Sequence, residues 1–327
     1  MTITHTHPPG IGVRARTAIE VRGLRKSYGD QVVLDGIDLT IAEGSVFSLL
    51  GPNGAGKTTV VRILSTLTAA DAGEVVIAGH DLVRAPDGVR AAIGVTGQFS
   101  AVDVFLNAGE NLQLMADLWH LPKQHGRRRV TELLELFDLV DASKKPVITF
   151  SGGMKRRLDL AMTLVGSPRI IFLDEPTTGL DPRSRRGMWE IIRNLVRNEA
   201  VTIFLTTQYL EEADHLADRL AVLDGGKLVA EGTVEELKQR MPGGHILLTF
   251  TTVAALDTAA RALGQAVTRN DEDLTLQVPS DSSAVSVQSV LNQLDSQSVQ
   301  KLSLHTPDLD DVFLALTGQH TNKKAQP

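Results

Sequence analysis

The chain has 327 residues, 42% of them hydrophobic, with 28 Gly, 13 Pro, no Cys and a formal net charge of −6. That length accommodates one large domain and a small one, and near-average apolar and charged fractions exclude a disordered chain. Without cysteine there is no disulfide scaffold, thiolate zinc site, iron–sulfur cluster or cysteine nucleophile, and the mild acidity argues against a dedicated nucleic-acid binder.

Residues 1–16 read as a loose tail of Pro, Gly, His and Thr, without apolar periodicity or a signal-peptide core. His5 and His7 within it are too few ligands to define a metal site. From Thr17 to Arg240, short apolar runs alternate with helical stretches, a pattern that predicts an α/β fold with a mainly parallel sheet. Four runs carry it: Val46–Leu50, 93–95, 170–173 and 202–205. The intervening segment 100–164 has helical spacing, and Leu133, Leu134, Leu136 and Phe137 form one apolar stripe expected in the core.

Met241-Pro-Gly-Gly244 reads as a linker. Beyond it His245–Phe250, 266–268, 274–278 and 299–304 are predicted strands, with helices over Val253–Leu263 and 284–294. The order βαββαβ predicts a ferredoxin-like module. A last helix over 308–316 starts with acids in its first turn, where the helix dipole favours them. The expected organisation is a tail (1–16), a nucleotide-binding domain (17–240), an accessory domain (245–317) and a second tail (318–327). No run reaches the ~18 apolar residues of a spanning helix, since the longest charge-free stretch, 241–256, opens with Pro, Gly and His. The chain is expected to have no transmembrane segment of its own.

The strand at 46–50 runs into Gly51-Pro52-Asn53-Gly54-Ala55-Gly56-Lys57-Thr58-Thr59, followed by an apolar helical stretch. G-x-x-x-x-G-K-T between strand and helix is a phosphate-binding loop. Its glycines let successive N–H groups turn toward phosphate oxygens, and the helix presents its positive end to the same anion. Lys57 is placed for the outer phosphates and the Thr58 hydroxyl for Mg²⁺. An apolar strand at 170–173 ends in Asp174-Glu175. At the carboxyl end of a parallel strand, Asp174 would hold the metal and Glu175 would orient or deprotonate an attacking water. Taken alone, two such acids could equally begin a helix.

Phe150-Ser151-Gly152-Gly153-Met154, 23 residues before Asp174, completes a set of motifs. With it the chain resembles, across 17–240, the ATP-binding subunits of ABC transporters, although Phe150 and Met154 replace the usual Leu and Gln of the signature motif. The resemblance implies ATP and Mg²⁺ as cofactors, and a head-to-tail homodimer in which Ser151, Gly152 and Gly153 face the γ-phosphate held by the other subunit. It implies further that Tyr28 stacks on adenine, that Gln98 ligates Mg²⁺, and that Asp181, in Gly179-Leu180-Asp181, crosses the dimer interface. A half-buried strand tyrosine is the plainer reading of Tyr28. Where the family places a histidine after the strand at 202–205, this chain has Gln208, which can donate a hydrogen bond but cannot shuttle a proton. Catalysis is expected to rest on Glu175, Gln208 and Lys57.

The combination of Val95-Thr-Gly-Gln98, Ser-Gly-Gly-Met154, Thr-Thr-Gln208-Tyr-Leu-Glu-Glu-Ala-Asp214 and the terminal Leu309-Asp-Asp-Val-Phe-Leu-Ala-Leu316 resembles the daunorubicin/doxorubicin-resistance type of bacterial ABC ATPase. That type implies a separately encoded membrane permease, a position on the cytoplasmic face of the cell membrane, and outward movement of drugs or amphipathic lipids. Two alternatives stand beside it: a soluble non-transport ABC ATPase, and a nucleotide sensor with little hydrolysis. The basic clusters at 127–129, 155–157 and 183–186 read first as solvated helix faces. Lys155–Arg157 could instead brace the phosphate-facing helix or touch the permease.

Overall fold

The computed structural model describes residues 16–98, 101–239, 244–264, 267–280, 283–294, 299–305 and 308–313. Two long strands, β1 (Thr17–Tyr28) and β2 (Gln31–Ala42), form an antiparallel pair. The buried β3 (Val46–Leu50) leads through the glycine loop into α1 (Lys57–Leu64). Next come β4 (Ala72–Ile77), β5 (His80–Asp81), α2 (Pro86–Ala92) and β6 (Ile93–Thr96). The helical segment supplies α3 (Ala108–Leu118), α4 (Lys123–Leu136) and α5 (Gly152–Thr163). Then β7 (Ile170–Asp174), α6 (Pro182–Glu199), β8 (Thr202–Thr207), α7 (Leu210–Leu216), β9 (Arg219–Asp224) and β10 (Lys227–Gly232) complete this part of the chain.

These strands make two sheets. A four-stranded antiparallel sheet runs β2-β1-β4-β5, and a six-stranded sheet runs β10-β9-β3-β8-β7-β6, in which β9, β3, β8, β7 and β6 pair in parallel. The central strands β3, β7 and β8 are buried along their length and mostly apolar because both faces are covered. Successive side chains point opposite ways: Phe47, Phe172 and Phe204 join α1 and the antiparallel sheet in one core cluster, while Val46, Ile171, Leu173, Ile203 and Leu205 pack with α3, α4, α5 and α6 in another. Phe204 stacks on Phe47 at 5.8 Å and lies 5.6 Å from Phe172.

The apolar stripe on α4 is narrower than the sequence predicts. Leu133 and Phe137 are buried, Leu134 packs at the cluster's edge, and Leu136 is 39% exposed. At 3.6 residues per turn, Leu134 and Leu136 each lie roughly 80° from the midline of the buried pair. One flank meets neighbours and the other meets solvent.

The chain divides into two compact units, 1–231 and 232–327. The second contains α8 (Val234–Gln239), β11 (His245–Phe250), α9 (Val253–Leu263), β12 (Thr268–Asn270), β13 (Thr275–Pro279), α10 (Ala284–Asn292) and β14 (Val299–His305). Its sheet order, β12-β13-β11-β14, is antiparallel at every pairing, which is the split βαββαβ arrangement of a ferredoxin-like module. Its first edge strand begins at Thr268, two residues beyond its predicted start. All three of its residues are exposed, so no buried alternation marked its limits in the sequence. Residues 309–313 are helical, within the predicted last helix. The predicted tails apart from Arg16, with His5 and His7, residues 241–243 of the linker, Ala266 and residues 314–316 lie outside the described residues.

Candidate nucleotide site

Four parallel strands end at one place. The carboxyl ends of β3, β6, β7 and β8 deliver the glycine loop, Gln98, Glu175 and Gln208 to a cavity of about 490 Å³, lined also by Val33, Thr178 and residues 53–59 except Ala55. A crevice outside the carboxyl ends of parallel strands is where an open α/β sheet binds its ligand.

The loop's shape explains its glycines. Gly56 caps α1 in a left-handed conformation, φ 110°, and a Cβ there would lie 2.8 Å from the Leu34 side chain. A Cβ on Gly51 would sit 2.3 Å from the Leu223 carbonyl oxygen. Neither position admits a side chain, so the backbone itself lines the cavity.

Lys57 opens α1 and is buried. Its ammonium donates to the carbonyls of Gly51, at 2.8 Å, and Pro52, at 3.1 Å, and stands 3.5 Å from Glu175 Oε1. Burial lowers its pKa, while Glu175 and Asp174 work in the opposite direction. The carboxylates are held just as firmly. Thr206 Oγ1 donates to Asp174 Oδ1 at 2.6 Å, and the same oxygen lies 3.3 Å from Thr58 Oγ1. Glu175 has φ 50°, in the left-handed region, and its N–H donates to Thr206 Oγ1 at 3.1 Å while Thr178 Oγ1 donates to its Oε2 at 3.2 Å. A strained backbone so well anchored fixes where the carboxylate points.

A second cluster forms outside that cavity. Ser151 N-caps α5, accepting from Met154 N at 3.2 Å, and Ser151 and Gly152 are exposed. Asp181 N-caps α6 through Arg183 N and Ser184 N, both at 3.0 Å, and those bonds with Ser184 Oγ depress its pKa. The two helix starts touch: a Cβ on Gly153 would lie 2.6 Å from Ser184 Oγ, whereas one on Gly152 would meet only Leu180, at 3.9 Å. So Ser151, Gly152, Gly153 and Asp181 share one surface, apart from the cavity that Lys57 lines. Tyr28 lies in neither group. It is 49% exposed at the end of β1, with Lys26 Nζ 5.4 Å from its ring centre.

The family model for ABC transporters matches residues 34–178. The daunorubicin resistance ATP-binding protein DrrA3 of Streptomyces coeruleorubidus is 46% identical over 95% of this chain and 99% of its own length. The chain belongs to the daunorubicin/doxorubicin-resistance type of ABC ATP-binding subunits. The doxorubicin resistance ATP-binding protein DrrA of Mycobacterium tuberculosis is 45% identical over 93% of this chain and 95% of its own. A solved ATP-binding subunit of an ABC transporter superposes with a TM-score of 0.61 at 27% identity, covering 68% of this chain and 93% of that one. This ABC subunit is therefore an ATP-binding ATPase with the α/β cassette fold of its family. Among the described residues no helix is long and apolar enough to cross a membrane.

Two residues escape a motif-based reading. Thr206 ties the Asp174 carboxylate to the Glu175 backbone N–H and is signalled only by a polar residue at the end of a buried strand. Arg156, from the 155–157 cluster, is no solvated face: its side chain is 11% exposed and bonds to Gly97, Asp174, Glu175 and Pro176. A run of three basic residues hides which of them turns inward.

Proposed function

We propose that this chain is the energy-coupling subunit of an ABC exporter of drugs or amphipathic lipids, acting on Mg-ATP at the cytoplasmic face of a membrane beneath a separately encoded permease. The observation that carries the reading is the convergence of Lys57, Asp174, Glu175, Gln98 and Gln208 around one glycine loop. The relatives' names, which speak of daunorubicin and doxorubicin resistance, support the substrate class.

Residues 17–240 act as the nucleotide-binding domain and 245–317 as an accessory domain. Backbone N–H groups of the glycine loop from Asn53 to Thr59 and the α1 N-terminus bind the phosphates, and Lys57 turns from Glu175 toward them. Exchanging one anionic partner for another keeps the buried ammonium compensated. Mg²⁺ fits the donor set, since Thr58, Asp174 and Gln98 offer hard oxygens, and when bound it neutralises the charge on the transferred phosphoryl group. Glu175 orients and deprotonates the attacking water. Gln208 donates through its amide to the γ-phosphate, and Tyr28 stacks on adenine. Ser151, Gly152, Gly153 and Asp181 engage the nucleotide of a second copy, arranged head to tail.

The test is Glu175→Gln in the full chain. Mg-ATP turnover should fall by about 100-fold or more, with ATP still bound. Undiminished turnover would remove Glu175 from its role.

A further inference from the structure

Arg156 sits five residues into the exposed start of α5, yet its guanidinium points into the protein. Its five N–H donors meet five acceptors. Nε donates to Pro176 O at 2.9 Å. One terminal nitrogen donates to Gly97 O at 2.8 Å and Asp159 Oδ2 at 3.1 Å. The other reaches Asp174 O at 3.3 Å and Glu175 O at 3.4 Å. Four of the five are main-chain carbonyls, and each belongs to a nucleotide-site residue or its immediate neighbour. Gly97 precedes Gln98, Asp174 ends β7, and Glu175 and Pro176 come directly after that strand.

Asp159, one turn along the same helix, supplies the countercharge. Its other oxygen accepts from Ala101 N at 3.1 Å. The Arg156–Asp159 pair therefore grips the Gln98 segment on both sides. Desolvating a guanidinium is costly unless every donor is satisfied, so a merely space-filling role would be served better by an apolar side chain. What only a flat, five-donor fork can do is hold carbonyls of two separate loops in one plane.

We propose that Arg156 is a positioning residue that fixes Gln98 and the Asp174–Glu175 pair relative to one another, setting the geometry of the metal-bearing side of the site. The proposal rests on the roles of Gln98, Asp174 and Glu175 in the proposed function. Because the strut stands on α5, movement of Ser151 at the start of that helix is passed to both loops together.

The experiment is a double-mutant cycle in the full chain with Arg156→Lys, Gln98→Ala and the double variant. Turnover is followed against Mg²⁺ at fixed ATP. Lysine keeps the charge but presents its donors from one point, so it cannot span four carbonyls. Arg156→Lys should lower kcat by about tenfold or more and raise the half-saturating Mg²⁺ several-fold, in line with other residues that orient ligands from behind. Affinity for a fluorescent ATP analogue in EDTA should stay within about twofold, since the hydrogen bonds of Arg156 go to Gly97, Asp159 and residues 174–176 and not to the glycine loop. On the Gln98→Ala background the shift in Mg²⁺ requirement should disappear, because the two residues act through one geometry. An equal shift in both backgrounds, or wild-type kcat in Arg156→Lys, overturns the proposal. Should Arg156→Lys fail to fold, Asp159→Asn takes its place in the same cycle, with the same outcomes expected and the same ones decisive. A wild-type chain without Mg-ATP turnover would remove the underlying reading and this one with it, whereas turnover with an unmoved Mg²⁺ requirement removes only the role of Arg156.

Discussion

The two elements that the proposed function assigns to phosphate binding are built to opposite specifications. In the glycine loop the cation is buried, and Lys57 already has two carbonyls and a carboxylate around it. At the start of α5 Ser151 and the first glycine are exposed, and the Ser151 side chain accepts from Met154 N of its own helix. In the proposed function the first is a preorganised phosphate cradle. The second has a helix N-terminus and little else, too weak to hold a nucleotide alone. On the proposed function, one chain would bind ATP by itself, while hydrolysis would need the exposed half-site of another.

Damage to the two elements should separate binding from turnover. Lys57→Met removes the buried cation at the cradle, and ATP affinity measured by calorimetry should drop by about 100-fold, as for loss of a buried charge pair. Gly152→Asp should leave that affinity within about twofold, because a Cβ at this position makes only an ordinary contact with Leu180 and aspartate is welcome in a first helical turn. Its turnover should nevertheless fall by about tenfold or more, since a carboxylate would face the partner's γ-phosphate. Equal losses of affinity in both variants would erase the distinction between cradle and half-site.

A smaller effect is expected behind the cavity. Glu212 on α7 is fully buried, accepting from Thr177 Oγ1 at 2.8 Å and Trp189 Nε1 at 3.1 Å, and burial raises its pKa despite those donors. A carboxyl whose pKa is raised on folding contributes stability that is present below its unfolded pKa and lost as pH rises through the folded value. Glu212→Gln keeps both hydrogen bonds without the ionisation. Its melting temperature should trail the wild type by a few degrees at pH 5 and draw level or pass it at pH 8. A difference independent of pH would show that Glu212 does not titrate in this way.

The same contrast governs what the sequence made legible. The cradle was readable because an apolar strand, fixed glycines and Lys57 must follow one another along the chain, and all of them do. Asp174 and Glu175 were readable for the same reason, as the polar end of a buried run. β1 and β2 were not, because they carry polar residues and glycines at broken intervals, and their pairing shifts register four times. The inward turn of Arg156 was hidden as well. Its acceptors lie at 97 and at 174–176, far apart in sequence, and nothing near residue 156 announces them. Local chemistry is written in consecutive residues, whereas bracing between loops exists only once the sheet has gathered its strand ends.

The most direct measurement of the head-to-tail account is complementation between the two damaged elements. Lys57→Met spoils the cradle of one chain and Gly152→Asp the exposed half-site of the other, so each homodimer is defective at both sites. A mixed dimer keeps one site whole, formed by the cradle of the Gly152→Asp chain and the half-site of the Lys57→Met chain. Mixing equal amounts should restore ATP turnover to about a quarter of the wild-type rate, as random pairing across a two-fold interface requires. A mixture no more active than the sum of its separate components would contradict the account.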